Sequence, residues 1–169
     1  VVRELESNCR DEGGVSGFGM PELPDYPCTS VTISCCSPIE DAYAVLDNIF
    51  LSTKPIHTAS GVEIHPLNKK LPRTIFYRGI AAGQLQRPTR FTYNLTTQCS
   101  LTEDRQLKFG WEWQGRVKSA IGYETCPLEV IDTIFSTKDN FAETELEFRA
   151  FDLTDKLIDR ALELGPRAR

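Results

Sequence analysis

Long apolar runs, runs of like charge, histidine and recognisable catalytic motifs are all scarce in this sequence, and each scarcity excludes something. No apolar stretch approaches the ~18 residues that cross a bilayer as a helix, so no membrane span is expected. No run of five like charges occurs, and the net charge is −5. A dedicated nucleic-acid or anionic-membrane binder carries a basic patch or stripe, so nucleic acid is not the expected partner. The two histidines, His57 and His65, lie far from the cysteines in sequence, and no cysteine pair is spaced C-x-x-C. No metal site is therefore expected. There is no G-x-S-x-G, no phosphate-binding glycine loop, no H-E-x-x-H and no dinucleotide fingerprint. Gly17-Phe18-Gly19 reads as a flexible loop. No cofactor is expected, and the chain reads as a binder in preference to an enzyme.

What is present begins with six cysteines: Cys9, Cys28, Cys35, Cys36, Cys99 and Cys126. An even, dispersed set reads as three disulfides formed in an oxidising compartment. Cys35 and Cys36 are adjacent, so a bond between them would close a strained ring, and each is expected to pair elsewhere. The chain starts at Val1, which fits a leader removed upstream. Asn94-Leu95-Thr96 is an N-x-T glycosylation acceptor. Phe91, Tyr93 and Leu95 share one face of a predicted strand, which leaves Asn94 on the side expected to be wet. Together these features predict a secreted, extracellular glycoprotein.

The 169 residues suit one domain, and 40% are hydrophobic, enough for a core at this size. Residues 1–30 crowd glycine and proline without period and read as an irregular arm tied down by its cysteines. Residues 31–169 read as a single α+β domain. Val31 to Cys36 is a short β-branched strand. Ser37-Pro38-Ile39-Glu40 is a capping box with proline at the first helical position, so a helix is expected over 38–51. Strands follow at 62–65, 74–80 and 89–97, with Ala81-Ala82-Gly83 as a break. Residues 106–118 alternate without interruption, with Leu107, Phe109, Trp111, Trp113 and Val117 on one face. That period predicts the central strand of an antiparallel sheet, with both tryptophans buried. Residues 120–125, 128–135 and 143–150 are expected to add strands, giving six or seven in all. A final helix is expected over 153–164, stopped by Gly165-Pro166.

Glu63 and His65 stand two apart on a predicted strand, so carboxylate and imidazole share a face and form the candidate acid–base pair. Arg78 is the candidate anion stabiliser. Placed at a strand end beside Pro66, the pair is expected to sit at a sheet edge, open to water. A carboxylate, a histidine and an arginine on an antiparallel sheet resemble, in residue kinds, the small secreted fungal ribonucleases. That resemblance implies RNA hydrolysis without metal, although the second histidine expected late in the chain is missing. Trp111 and Trp113 could line a cavity for an apolar ligand. The order of sheet then C-terminal helix is similar to that of helix-grip ligand binders. The first expectation is a small extracellular interaction protein, of the kind fungal effectors represent, that binds a protein partner. The second is a secreted hydrolase, ribonuclease-like, and the third a carrier of a small apolar ligand.

Overall fold

The structure, a computed structural model, describes residues 4, 5, 8, 9, 49–149 and 152–165. The chain divides into two compact units, Val1–Ile49 and Phe50–Arg169. In the first, residues 4–5 and 8–9 are helical. The arm expected over 1–30 otherwise lies outside the described residues, as do the strand at 31–36 and the helix from 38 to 48. At the predicted end of that helix, residues 49–51 are not helical, and Phe50 pairs with Ile80 as an isolated bridge.

The second unit is α+β. Its five strands are β1 (His57–Ala59), β2 (Val62–His65), β3 (Thr74–Tyr77), β4 (Ile80–Gln84) and β5 (Thr92–Leu95). They form one sheet in the order β1-β2-β5-β3-β4. Two hairpins build it, and both turn on two residues with positive φ. Ser60 (51°) and Gly61 (74°) join β1 to β2, and Arg78 (49°) and Gly79 (76°) join β3 to β4. Paired left-handed residues give the turn whose twist matches that of the flanking strands. Gly61 is obligatory on a second count, since a Cβ there would stand 2.3 Å from Thr97 Oγ1. The hairpins meet through β5, antiparallel to β2 and parallel to β3. Among the described residues the sheet is therefore mixed and five-stranded, not antiparallel with six or seven strands.

Four expected strands of the second half are not strands. Residues Trp111–Ile121 form helix α1, and Leu128–Phe135 form α2. Residues 122–127 are the turn between them, and Ala142–Glu145 is a single 3₁₀ turn. The alternation over 106–118 is genuine, but Gly115 and Ser119 fall where a buried strand face needs apolar side chains. The spacing of Trp113, Val117, Ala120 and Ile121 is helical, and all four are buried. Glu112 in the first turn and Lys118 in the last suit the helix dipole. In α2, Pro127 opens the helix, and Val130, Ile131, Ile134 and Phe135 form the buried stripe. Helix α3 (Asp155–Leu164) lies where the final helix is expected, and Gly165 (φ 57°) ends it.

The helices pack on one face of the sheet. Val62, Ile64, Ile75, Tyr93 and Leu95 meet Trp113, Val117, Ala120 and Ile121, with the α2 stripe and Leu157 of α3 completing the core. Tyr93 and Trp113 lie with ring centroids 5.8 Å apart. Of the expected α3 stripe, Leu157 is buried, while Leu153, Ile158 and Leu162 are exposed. Polar clasps fix the outer helices. Arg160 grips both carboxylate oxygens of Asp132 at 2.5 Å, and Lys118 reaches Asp152 at 3.0 Å. These contacts hold both carboxyls below the usual range, through hydrogen bonding from Arg160 to Asp132 and from the Arg149 backbone to Asp152.

Candidate functional site

On the sheet face away from α1, β2 and β5 set a row of polar side chains. Glu63 pairs with Asn94 and His65 with Thr92 across the strands. Glu63 Oε2 lies 3.3 Å from His65 Nε2 and accepts from Asn94 Nδ2 at 2.6 Å. Asn94 Oδ1 accepts from the N–H of Gly79 at 2.8 Å. At the other end, Thr53 Oγ1 lies 3.2 Å from His65 Nδ1. Hydroxyl, imidazole and carboxylate thus stand in series. With the ring proton on Nε2 and directed at Glu63, Nδ1 is left to accept from Thr53, the arrangement of a general base oriented by an acid.

The pair is joined as expected but not placed as expected. β1 flanks β2, so β2 is not an edge, and His65 is 2% exposed. Asn94 is 5% exposed, with both ends of its amide engaged, on an interior strand. Its face is not wet, because Thr92 and Phe76 beside it are buried too. Arg78 sits at the β3–β4 turn with its guanidinium 5.3 Å from the Tyr77 ring centre. His57 faces the opposite way, paired with Ile64, and its Nε2 donates to the carbonyl of Ala120 at 3.0 Å. It ties β1 to α1 and takes no part in the row.

The second candidate lies at the open side of α1. A groove of about 540 Å³ is lined by Gln98, Cys99, Ser100, Trp111, Glu112, Gly115 and Arg116. Trp113 is 2% exposed, whereas Trp111 is 67% exposed, so only Trp113 is the core residue expected of both. Trp111 stacks on Phe109, with centroids 5.8 Å apart and planes 25° from parallel. Lys108 Nζ lies over the far ring, 5.5 Å from its centre. Arg116 hydrogen-bonds the side chain of Thr97 and, at 2.5 Å, the carbonyl of Gln98. Glu112 Oε2 accepts from the N–H of Ser100 at 3.1 Å. Read as strand, these two charged residues belonged to a featureless wet face. The helix turns them toward the 97–100 segment instead, and only the interior Gly115 hinted at something local.

Cys9, Cys99 and Cys126 are free thiols, and Cys28, Cys35 and Cys36 lie outside the described residues. The expected disulfides are not seen at any of the three. Burial pushes the Cys126 thiol up to about 11, with Lys156 opposing. Burial also raises Cys99, against the pull of Arg116. Neither thiol is poised as a nucleophile. Among the described residues no cluster of three or more His, Cys, Asp or Glu is placed to hold a metal, and no helix is long and apolar enough to cross a membrane.

Beneath the core lies a buried carboxyl. Glu143 is 3% exposed, and its Oε1 accepts from the N–H of Arg90 at 2.7 Å and the hydroxyl of Tyr93 at 2.9 Å. Its Oε2 has no hydrogen-bond partner. Burial raises its pKa despite these donors, and burial beside Glu143 pushes the Tyr93 phenol well above its ordinary value. The sequence reading put Glu143 at the start of an expected strand over 143–150.

The chain matches no family model, no curated protein and no solved structure.

Proposed function

We propose that this protein works by binding another molecule, with the groove beside Trp111 as the contact surface. The observation that carries the reading is the exposed stack of Trp111 on Phe109. Tryptophan and arginine are the side chains that most often dominate binding energy. Here a large aromatic surface stays in water beside Arg116, where folding alone would favour covering it. The charged side chains of the rim are already bonded to the protein, so little ordering remains to be done on association. We also propose, from the sequence alone, that the protein acts outside the cell: an even set of six cysteines suits an oxidising compartment, although Cys9, Cys99 and Cys126 are unpaired in the structure. Recovery of the tagged full chain from the medium of its native cells, and not from their contents, would support that placement.

The test of the binding reading is site-resolved cross-linking. A photoreactive residue at Gln98, on the groove rim, is compared with one at Thr133 on α2. Adducts from position 98 that vanish when Trp111→Ala is added support the reading. Equal yields from both positions overturn it, as does the absence of adducts from either together with the absence of any small-molecule or saccharide binding.

The Thr53–His65–Glu63 series favours a second reading, a hydrolase with Thr53 as the exposed hydroxyl and His65 as its base. Hydroxyl, base and orienting carboxylate in hydrogen-bond reach are what such chemistry needs. The same contacts also satisfy both ring nitrogens of the buried His65, which is why binding is preferred. Incubation with mixed-sequence RNA and ester substrates decides. Turnover lost in both Thr53→Val and His65→Ala would establish the hydrolase.

A further inference from the structure

We infer that the Trp111 groove is a site for a neutral saccharide. The inference rests on the binding reading above and narrows it to a ligand class. Three properties of the groove select that class.

The first is a flat aromatic face left open. Trp111 is stacked against Phe109, a contact that favours one orientation of its ring as a platform. A pyranose ring has one face of C–H groups and an edge of hydroxyls. Such a ring covers an indole with its apolar face and presents the hydroxyls sideways.

The second is the balance of the walls. Arg116 supplies a cation with donor capacity beyond its bonds to Thr97 and Gln98, Glu112, 8% exposed, an anion with acceptor capacity beyond its bond from Ser100, and Gln98 and Ser100 groups that do both. One positive and one negative side chain line the same groove. An anionic ligand, including a nucleic-acid backbone, would meet Glu112, and a cationic one would meet Arg116. A purely apolar ligand would strip water from both without replacing its hydrogen bonds. Sugar hydroxyls donate and accept, carry no charge, and match such a set. A volume of about 540 Å³ falls among small-ligand sites.

The third is Gly115. A glycine inside a helix is a liability, and packing usually explains its retention. Here packing does not, since a Cβ at 115 would meet no atom within 4 Å. What the missing side chain does is leave the helix surface between Trp111 and Arg116 open.

The experiment is calorimetric titration of the full chain with neutral oligosaccharides of β-linked glucose, β-linked N-acetylglucosamine and α-linked mannose. Polygalacturonate and palmitate serve as charged and apolar controls. Saturable binding of at least one neutral series is expected, weakened about tenfold or more by Trp111→Ala. Gly115→Gln should abolish it without lowering thermal stability, which separates a blocked groove from a damaged fold. Binding that survives both substitutions overturns the site. Binding of a control in place of every neutral saccharide overturns the class. If no saccharide binds but position 98 still yields Trp111-dependent protein adducts, the saccharide inference falls and the binding reading stands. If neither is seen, both fall.

Discussion

Trp113 and Trp111 stand two residues apart on α1, yet one is 2% exposed and the other 67%. Two residues along an α-helix are about 200° of rotation, so the pair must face opposite ways. Along a strand the same spacing would put them on one face. The difference separates α1 into a packed face, where Trp113, Val117, Ala120 and Ile121 meet the sheet, and an open face, where Trp111, Gly115 and Arg116 border the groove. The packed face belongs to folding. The open face contributes little to the core, so its composition calls for another explanation.

That contrast can be broken outright by truncating each tryptophan. Trp113→Ala should cost on the order of 3–5 kcal/mol in denaturant unfolding, as large core truncations do. Trp111→Ala should stay within about 0.5 kcal/mol, as surface changes do. Equal losses would mean that the two faces do not differ. Emission gives a second readout, because Trp113 should be blue-shifted and Trp111 quenched by soluble quenchers.

The cysteines extend the comparison. Cys126 is buried behind the packed side with a pKa near 11, and Cys99 lines the groove. A thiol reagent at neutral pH should modify Cys99 before Cys126 in the native protein, as resolved by peptide mapping. Denatured without reductant, Cys9, Cys99 and Cys126 should all titrate. A reading near zero thiols would mean that these residues are bonded, and would restore the three-disulfide framework.

The packed side also predicts a direction with pH. Glu143 has a folded pKa raised above its ordinary 4.5, mainly by burial. The folded state therefore holds this proton more tightly than the unfolded state does. Its contribution to stability is complete below about pH 4.5 and is lost as pH rises through the raised value. Asp132 and Asp152 act oppositely, since their lowered values give stability present above 3.8 and lost as pH falls. Both are exposed enough for solvent to weaken the effect. Chemical unfolding from pH 4.5 upward should show stability declining, and Glu143→Gln should flatten that decline. An unchanged slope would sink the assignment.

The smallest expected effect is Gly115→Ala. With nothing for a Cβ to strike, it should stabilise by roughly 0.5–1 kcal/mol. The same change at Gly61, where φ is 74° and Thr97 blocks the Cβ, should destabilise instead. A destabilised Gly115→Ala protein would show that this glycine serves packing, and would remove one support of the saccharide site.

Much of the sheet was legible because local rules decide it. Val62–His65 and Thr92–Leu95 lie within expected strands, and Thr74–Tyr77 falls inside the third. β4 was missed because Arg78-Gly79 is not among the commonest turn pairs, so Ala81-Ala82-Gly83 read as a break. The final helix was legible from its stripe and its Gly165-Pro166 stop. At α1 two periods overlapped. Leu107 to Trp113 alternates like a strand, while Trp113 to Ile121 has helical spacing, and the second pattern alone continues through Gly115.

By itself, then, the chain determined an α+β composition, three of the five strands, the last helix and the sharing of one face by Glu63 and His65. Each of these follows from backbone period and turn chemistry within a few residues. Tertiary structure alone decided the rest. Parallel pairing of β3 with β5 joins segments with strand β4 and the 85–91 loop between them, and no local residue encodes it. Burial of Asn94 depends on its place on an interior strand between β2 and β3, with Glu63 and Gly79 as partners, not on its alternation. Thr53 reaches His65, and Arg116 reaches Thr97 and Gln98, only because the fold brings segments 12 to 19 residues apart into contact. Side-chain proximity across such separations is set by packing of the whole core, which is why the candidate sites had to wait for the fold.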